Sequence, residues 1–352
     1  MKLVIQIPCR NEEATLPVTL GALPRSLPGF DSVEWLVIDD GSTDQTARVA
    51  RDNGVDHVVR FTRHQGLAAA FSAGLEACLS QGADVIVNTD ADNQYCAEDI
   101  PLLVAPILTG SADIVVGARP IEKIPHFSPV KKLLQRLGSW AVRVASNADV
   151  PDAPSGFRAM SRRAAMQLHV FSDYTYTLET IIQAGQKRMA IASVPIRVNG
   201  ELRPSRLVKS IPSYVRRSIV VIARIFLTYR PFAAFATMAS VALVPGLMLA
   251  GRFLWLYWEG GGRGHVQSVV LAALLLGSGL FLLVVGVIVD LISVNRKLLE
   301  GIDLRLRCLE HDSSSIPASG LLPRPVSAPK SEREPESKLA PFTLQPHVAR
   351  RG

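Results

Sequence analysis

Two long runs without a charged residue, Phe232–Gly251 and Val266–Val289, limit what this chain can fold into more than any other feature. Each is long enough to cross a hydrocarbon layer of about 30 Å as a helix, which takes about 20 residues. In such a medium every backbone N–H and C=O must be satisfied internally, and two adjacent runs of this length achieve that as helices. Both are apolar on all faces, unlike the one-sided stripe of a helix packed on a soluble core. Trp255, Tyr257 and Trp258 close the first run with residues suited to a membrane–water boundary, and the short turn Glu259–His265 permits only an antiparallel hairpin. Arg216, Arg217, Arg224 and Arg230 precede the pair, and Arg296, Lys297, Arg305 and Arg307 come after it. By the positive-inside tendency the pattern predicts an integral membrane protein with two transmembrane helices and both large ends in the cytoplasm.

The mean hydropathy of +0.23 is high for a soluble chain, and the apolarity is unevenly spread. A net charge of +7 then reads as attraction to a membrane surface, because the arginines cluster beside the spans and no nucleic-acid motif is present. The four cysteines, Cys9, Cys78, Cys96 and Cys308, form no Cys-x-x-Cys pair, which fits a reducing compartment and argues against zinc. A strand pattern begins at once with Leu3–Ile7, leaving no room for a signal-peptide core, so the expectation is a catalytic part that is not exported.

Upstream of the spans, strand-like and helix-like segments alternate. Leu3–Ile7, Trp35–Ile38, Val55–Arg60, Val85–Thr89 and Ile114–Gly117 read as strands, separated by helical patterns at Thr15–Leu23, Asp44–Asn53, Gly66–Ser80 and Glu98–Leu108. Such alternation calls for an α/β fold with a doubly wound, mostly parallel sheet. Thr43 or Asp44 would cap the second helix. Further on, helices are expected at Val130–Ser146, Arg162–Leu168 and Thr177–Gln186, and a strand at Ala190–Arg197. The organisation expected is a cytoplasmic domain over 1–209 and an amphipathic juxtamembrane helix over 210–230. A hairpin comes next over 231–295, with spans at about 232–256 and 266–290, then a cytoplasmic helix over 296–310. Residues 311–352, rich in Ser, Pro and Glu, are expected to be disordered. No internal repeat is evident.

In a parallel sheet, the residues just past the carboxyl end of each strand face the ligand crevice. Here those positions carry Pro8-Cys9-Arg10-Asn11-Glu12-Glu13, Asp39-Asp40-Gly41-Ser42-Thr43-Asp44, Arg63-His64-Gln65-Gly66, Asp90-Ala91-Asp92 and Gly117-Ala118-Arg119. One polar strand end means little, since loops are usually polar. Five on one edge outline a crevice with carboxylates for a base, a ribose and a metal, and an arginine for phosphate. Asp90, Asp92 and Gln94 end a buried strand with hard oxygen donors, the set that suits Mg²⁺ or Mn²⁺, an ion commonly shared with a diphosphate.

The series Pro8-x-x-Asn11-Glu12, Asp39-Asp40-Gly41-Ser42-x-Asp44 and Asp90-Ala91-Asp92-x-Gln94 resembles family-2 glycosyltransferases of the GT-A fold. Ser155-Gly156-Phe157-Arg158, Tyr176-Thr-Leu-Glu179 and the stretch from Arg197 to Lys209 resemble dolichyl-phosphate mannose synthases and their bacterial polyprenyl-phosphate relatives. The likeness covers roughly residues 1–225 and the paired C-terminal spans. It implies that Pro8, Asn11, Glu12 and Asp39 hold the base and ribose of a nucleotide-diphosphate sugar, with Asp40 and Asp90 beside the diphosphate. Asp90, Asp92 and Gln94 would ligate the metal, and Asp40, Asp92 and Arg119 would carry the catalytic roles. Arg119, Arg158, Arg203, Ser205 and Arg206 would meet the acceptor phosphate. The chain departs from the family pattern at Arg10, where Tyr is usual, and at Ala118, where Ser is usual. Arg203-Pro-Ser-Arg206 stands near the usual Gly-x-Ser-Lys.

The reaction implied is inverting transfer of a mannose- or glucose-type sugar to a polyprenyl (dolichyl or undecaprenyl) phosphate at the cytoplasmic membrane face. That acceptor is largely ionised at neutral pH, so no strong general base is needed. His64 accordingly reads as a polar contact, while Glu179 is open between a helix-solvating role and a site role. Rival readings are a glycerolipid or glycan acceptor, or an inactive scaffold that binds nucleotide sugar; a nucleotidyltransferase would need a Gly-rich basic loop after the first strand. The sugar, the base and the oligomeric state are left open, though Leu298–Leu306 could continue the second span as a helix and pack on a second copy.

Overall fold

The computed structural model of the chain describes residues 1–120, 139–140, 142–144, 146, 148, 150–170, 176–200, 220, 223–224, 227–259 and 266–314. Strand and helix alternate through β1 (Lys2–Cys9), α1 (Leu16–Ala22), β2 (Ser32–Asp39), α2 (Thr46–Asp52), β3 (His57–Arg60), α3 (Leu67–Ser80) and β4 (Val85–Asn88). A single 3-10 turn at Ala97–Asp99 leads into α4 (Ile100–Leu108) and β5 (Ile114–Ala118). After these come β6 (Arg158–Ser161), α5 (Arg162–Gln167), α6 (Thr177–Gln186), β7 (Ile191–Pro195), α7 (Pro231–Trp258) and α8 (Val266–Ser314).

The seven strands form one sheet in the order β3-β2-β1-β4-β6-β5-β7. All neighbouring pairs are parallel except those made by β6, which runs antiparallel to both β4 and β5. Because successive side chains point to opposite faces, the apolar run of β1 feeds two cores at once. Leu3, Ile5 and Ile7 join Leu16 and Leu20 of α1 and Leu103 and Val104 of α4 on one face. Val4 joins Phe71, Leu75 and Leu79 of α3 and Ile181 and Ile182 of α6 on the other. This double coverage is why β1 reads as a continuous apolar stretch rather than an alternating one.

The alternating elements fall within a few residues of where the sequence puts them, and two of the differences bear on the crevice. Helix α2 begins at Thr46 rather than Asp44, and the Asp44 carboxylate accepts the Thr46 N–H at 3.0 Å from just outside the helix. Strand β6 is the second difference, since no local pattern announces it. Its register pairs Arg158 with Asn88 and Ala159 with Val87, so its amino end lies at the same edge as the carboxyl ends of β4 and β5. The turn that carries Gly156 is thereby delivered to the crevice.

Helices α7 and α8 form a hairpin, and both are long and apolar enough to cross a membrane. Only 11% and 17% of their most apolar stretches are buried, so their outward Leu, Val and Phe side chains require cover that the other described residues do not supply. Glycines set the approach of the pair: a Cβ on Gly279 would stand 2.5 Å from Leu243 Cγ, and one on Gly286 2.9 Å from Phe235 Cβ. The second span does not stop near 290. It continues as one helix to Ser314, so the helix expected over 296–310 prolongs it, as the spacing of Leu298–Leu306 allows. Most of the juxtamembrane stretch 210–230, the turn residues 260–265 and the tail after 314 lie outside the described residues.

Candidate functional site

The crevice lies where β1, β2 and β4 end, on the edge where crossovers diverge to the two sides of β1. Past Pro8, which pairs with Ile38, the chain turns through Asn11 at a φ of 52°. The Asn11 N–H donates to Ser42 Oγ at 2.9 Å, and its side-chain oxygen accepts the Thr43 N–H at 2.8 Å. Glu12 is buried, donating its N–H to Thr46 Oγ1 at 2.8 Å and accepting the Thr15 hydroxyl at 2.7 Å. Asn11 and Glu12 therefore tie the first strand end to the second. They hold in place Asp39, whose Oδ1 accepts the Ser42 N–H at 2.9 Å and whose Oδ2 lies 3.1 Å from Arg60 Nε.

Asp40 is taken up by the loop after β3. Its carboxylate accepts His64 Nδ1 at 2.7 Å, the Gln65 N–H at 2.7 Å and the Gly66 N–H at 3.0 Å. The loop comes so close that a Cβ at Gly41, where φ is 63°, would sit 2.5 Å from the Arg63 carbonyl carbon. Asp40 thus shapes the rim by anchoring this loop, and His64 is a polar contact, as expected.

At the end of β4, Asp90 and Asp92 stand half-buried on a turn that returns through Asn93, at a φ of 55°. The Gln94 N–H reaches Asp92 Oδ1 at 3.3 Å. Burial and the neighbouring charge of Asp92 push Asp90 up to about 6, opposed by Arg119, a hydrogen bond with Tyr95, and Arg158. Among the described residues no three His, Cys, Asp or Glu side chains gather, and a metal here would find the two carboxylates of Asp90 and Asp92. That set fits Mg²⁺ or Mn²⁺, which are commonly bound by one or two carboxylates with substrate phosphates and water completing the shell.

Arg119, just past β5, is gripped by buried Asp152: Nε to Oδ2 at 2.7 Å, Nη2 to Oδ1 at 3.0 Å, and its backbone N–H to Oδ2 at 3.2 Å. Burial opposes the charged guanidinium, but Tyr95, Asp152 and Asp90 hold its pKa above the ordinary value. No motif marks Asp152 in the sequence, where it sits in a short turn between two prolines. Tyr95 and Asn88 escape a sequence reading as well. The Tyr95 hydroxyl accepts the Gly156 N–H at 3.0 Å, while Asn88 Nδ2 donates to the Gly156 carbonyl at 2.8 Å and to Tyr176 Oη at 2.9 Å.

Arg158 corrects an expectation. It is fully buried, with Nη1 donating to Thr177 and Thr180 and Nη2 to Ala153 and Ser155, while Nε, enclosed, makes no hydrogen bond among the described residues; burial keeps the guanidinium from standing open to an acceptor phosphate. Glu179 faces inward too, accepting the Tyr229 hydroxyl at 3.0 Å. Arg203, Ser205 and Arg206 lie outside the described residues.

Known proteins resemble this chain in sequence and in fold. The family model for glycosyl transferase family 2 matches residues 4–168. The undecaprenyl-phosphate mannosyltransferase of Micrococcus luteus is 32% identical over 219 residues, 59% of this chain and 88% of that protein. The chain belongs to glycosyltransferase family 2. The dolichol-phosphate mannosyltransferase of Pyrococcus furiosus is 28% identical over 270 residues, 73% of this chain and 72% of that one. Among solved structures, glucosyl-3-phosphoglycerate synthase from Mycobacterium tuberculosis, in complex with Mn²⁺, uridine diphosphate and glucosyl-3-phosphoglycerate, superposes with a TM-score of 0.51. It covers 64% of this chain and 78% of its own at 24% identity, a likeness of fold. Family membership makes the chain a glycosyltransferase, and the mostly parallel sheet is the GT-A sheet of that family.

Proposed function

We propose that this glycosyltransferase moves a sugar from a nucleotide-diphosphate donor to a polyprenyl phosphate at the cytoplasmic face of a membrane, inverting the anomeric carbon. One observation carries the reading: a carboxylate pair and a clamped arginine share one sheet edge in a chain that goes on into two uncovered apolar helices. Relatives that cover most of their own length here bear the names undecaprenyl-phosphate and dolichol-phosphate mannosyltransferase.

Pro8, Asn11, Glu12 and Asp39 line the pocket for base and ribose, braced by the contacts between the first two strand ends. Asp40 fixes the loop at the rim of the same pocket. Asp90 and Asp92, with Gln94 alongside, hold Mg²⁺ or Mn²⁺. When bound, the ion screens the charge that develops on the departing diphosphate. Arg119 keeps its guanidinium beside Asp90 because Asp152 occupies Nε and Nη2, and among the described residues Nη1 takes no hydrogen bond. It is placed to orient an anionic reactant and to offset negative charge as donor and acceptor phosphates approach. Arg203, Ser205 and Arg206 precede the spans in the chain and supply the remaining contacts to the lipid phosphate.

The nucleophile is a phosphate oxygen already ionised at neutral pH, so the site supplies position and charge rather than a proton acceptor. His64, tied to Asp40, is consistent with that division of labour. Membranes containing the protein, supplied with labelled GDP-mannose or UDP-glucose and undecaprenyl phosphate, should yield a labelled, acid-labile lipid that depends on the added acceptor. Label appearing instead in glycerolipid or polymer would replace this acceptor assignment.

A further inference from the structure

Arg158 has no part in the proposed transfer, yet it heads the largest fully buried side chains of the protein. Its Nη1 donates to the Thr177 carbonyl at 3.1 Å and to Thr180 Oγ1 at 2.7 Å, both on α6. Its Nη2 donates to the Ala153 carbonyl at 3.3 Å and to the Ser155 carbonyl, both in the turn before β6. The guanidinium carbon lies 5.4 Å from the centre of the Tyr176 ring. Burying a cation is unfavourable, and an apolar side chain would fill the volume without that cost. What a guanidinium adds is a planar fork that joins two separate pieces of backbone in a fixed geometry.

The turn on one side of this fork touches both functional groups. Asp152 at its start grips Arg119 through both carboxylate oxygens. Gly156 at its end lies against Asp90: a Cβ there would stand 3.1 and 3.2 Å from the two Asp90 oxygens and 3.2 Å from Tyr176 Oη. Both polar ends of Gly156 are fixed, its N–H by the Tyr95 hydroxyl and its carbonyl by Asn88. We propose that Arg158 is a positioning residue which, by fastening the 152–156 turn to α6, sets the places of Arg119 and Asp90 together. The inference rests on the roles proposed for those two residues in sugar transfer. It assigns Arg158 no contact with either substrate.

Two variants test the fork. Arg158→Lys keeps the charge but replaces the fork with a single donor group. Thr180→Val removes one acceptor on the α6 side, away from the substrates. Turnover should fall about 10- to 100-fold in the first and about 3-fold in the second, as expected for displaced catalytic groups. The KM for polyprenyl phosphate and that for the donor should rise together, by a few fold, because Arg119 and Asp90 shift together. Amide exchange over 152–157 should quicken in both variants, and Mn²⁺-dependent binding of a fluorescent nucleotide should show whether the donor pocket is intact. A rise in the acceptor KM alone, with exchange unchanged, would make Arg158 a phosphate contact and overturn the proposal. Thr180→Val with wild-type turnover and exchange would overturn it too, and decides the matter if Arg158→Lys does not fold. If wild-type protein transfers no sugar to polyprenyl phosphate, the functional reading fails, while exchange and nucleotide binding still test the fork.

Discussion

Asp90 shows at the level of one side chain how a site is held ready at the expense of stability. Burial and Asp92 place its pKa at about 6, against 3.8 for the ordinary carboxyl. Between those pH values the folded chain keeps a proton that the unfolded chain has released. The stability from this group is therefore present below about pH 4 and is lost as pH rises through about 6. At pH 7.5 the metal-free fold carries an unfavourable carboxylate worth on the order of 1–3 kcal/mol, at 1.36 kcal/mol per pKa unit. Asp90→Asn, unfolded in detergent with EDTA, should melt above wild type at pH 7.5, and the gap should close towards pH 5. Mn²⁺ should raise the wild-type Tm and leave that of the variant unmoved. A variant that melts below wild type in EDTA at pH 7.5 would show the carboxylate to be stabilising without metal. The carboxylate pair is legible in the sequence because an apolar strand ends abruptly in it. The fate of Arg158 is not, because Gly-Phe-Arg reads alike whether the guanidinium faces solvent or is enclosed, and α6 and the 152–156 turn decide which.

Elements decide how the turn that carries Asp90 and Asp92 keeps its shape. The segment after β7 returns to this turn: Tyr95 and Val198 form an antiparallel bridge, and Asn199 Nδ2 donates to the Asn93 carbonyl at 3.0 Å. Buried Asp99 accepts the Arg197 N–H at 2.6 Å and its guanidinium Nε and Nη2 at 2.9 and 2.7 Å. The chain that leads towards Arg203 and the apolar helices is thereby clamped to the turn bearing Asp92. Asp99→Ala should loosen this clamp at a cost of about 1–3 kcal/mol, much of it from the backbone contact, since Arg197 is itself exposed. Amide exchange over 93–99 should rise and donor affinity should fall in the presence of Mn²⁺; unchanged exchange would show that the turn holds its shape alone. Local pattern exposes β1 to β5 and their helices because each strand is a run of apolar residues between turn signals. It cannot expose β6, a four-residue strand, Arg158–Ser161, that begins with a charge and owes its existence to distant pairing with β4 and β5. The same holds for the clamp, whose partners stand about a hundred residues apart.

For the whole molecule, the order of parts joins chemistry to membrane: a GT-A sheet, then a helical hairpin whose second helix runs on to Ser314. The hairpin is plain in the sequence, since uncharged runs of this length leave few alternatives. The course of α8 past 295 is only hinted at, by the helical spacing of Leu298, Leu299, Ile302 and Leu306 where charge and Gly301 return. In the topology proposed from the arginines around the spans, residues 1–230 and the segment after Arg296 share the cytoplasmic side. A cysteine introduced at Gly261 should then react with an impermeant thiol reagent applied to intact cells, and labelling of the C-terminal tail instead would reverse the orientation. Metal-assisted sugar transfer to a polyprenyl phosphate is tested most directly by one comparison. Labelled donor and undecaprenyl phosphate are given to membranes holding equal amounts of wild-type protein or Asp92→Asn, with Mn²⁺ or with EDTA. Wild type with Mn²⁺ should form labelled polyprenyl-phosphate sugar, with a loss of at least about 100-fold in EDTA and a similar loss in Asp92→Asn under either condition. Equal lipid labelling by Asp92→Asn in the presence of EDTA would contradict the metal-assisted transfer.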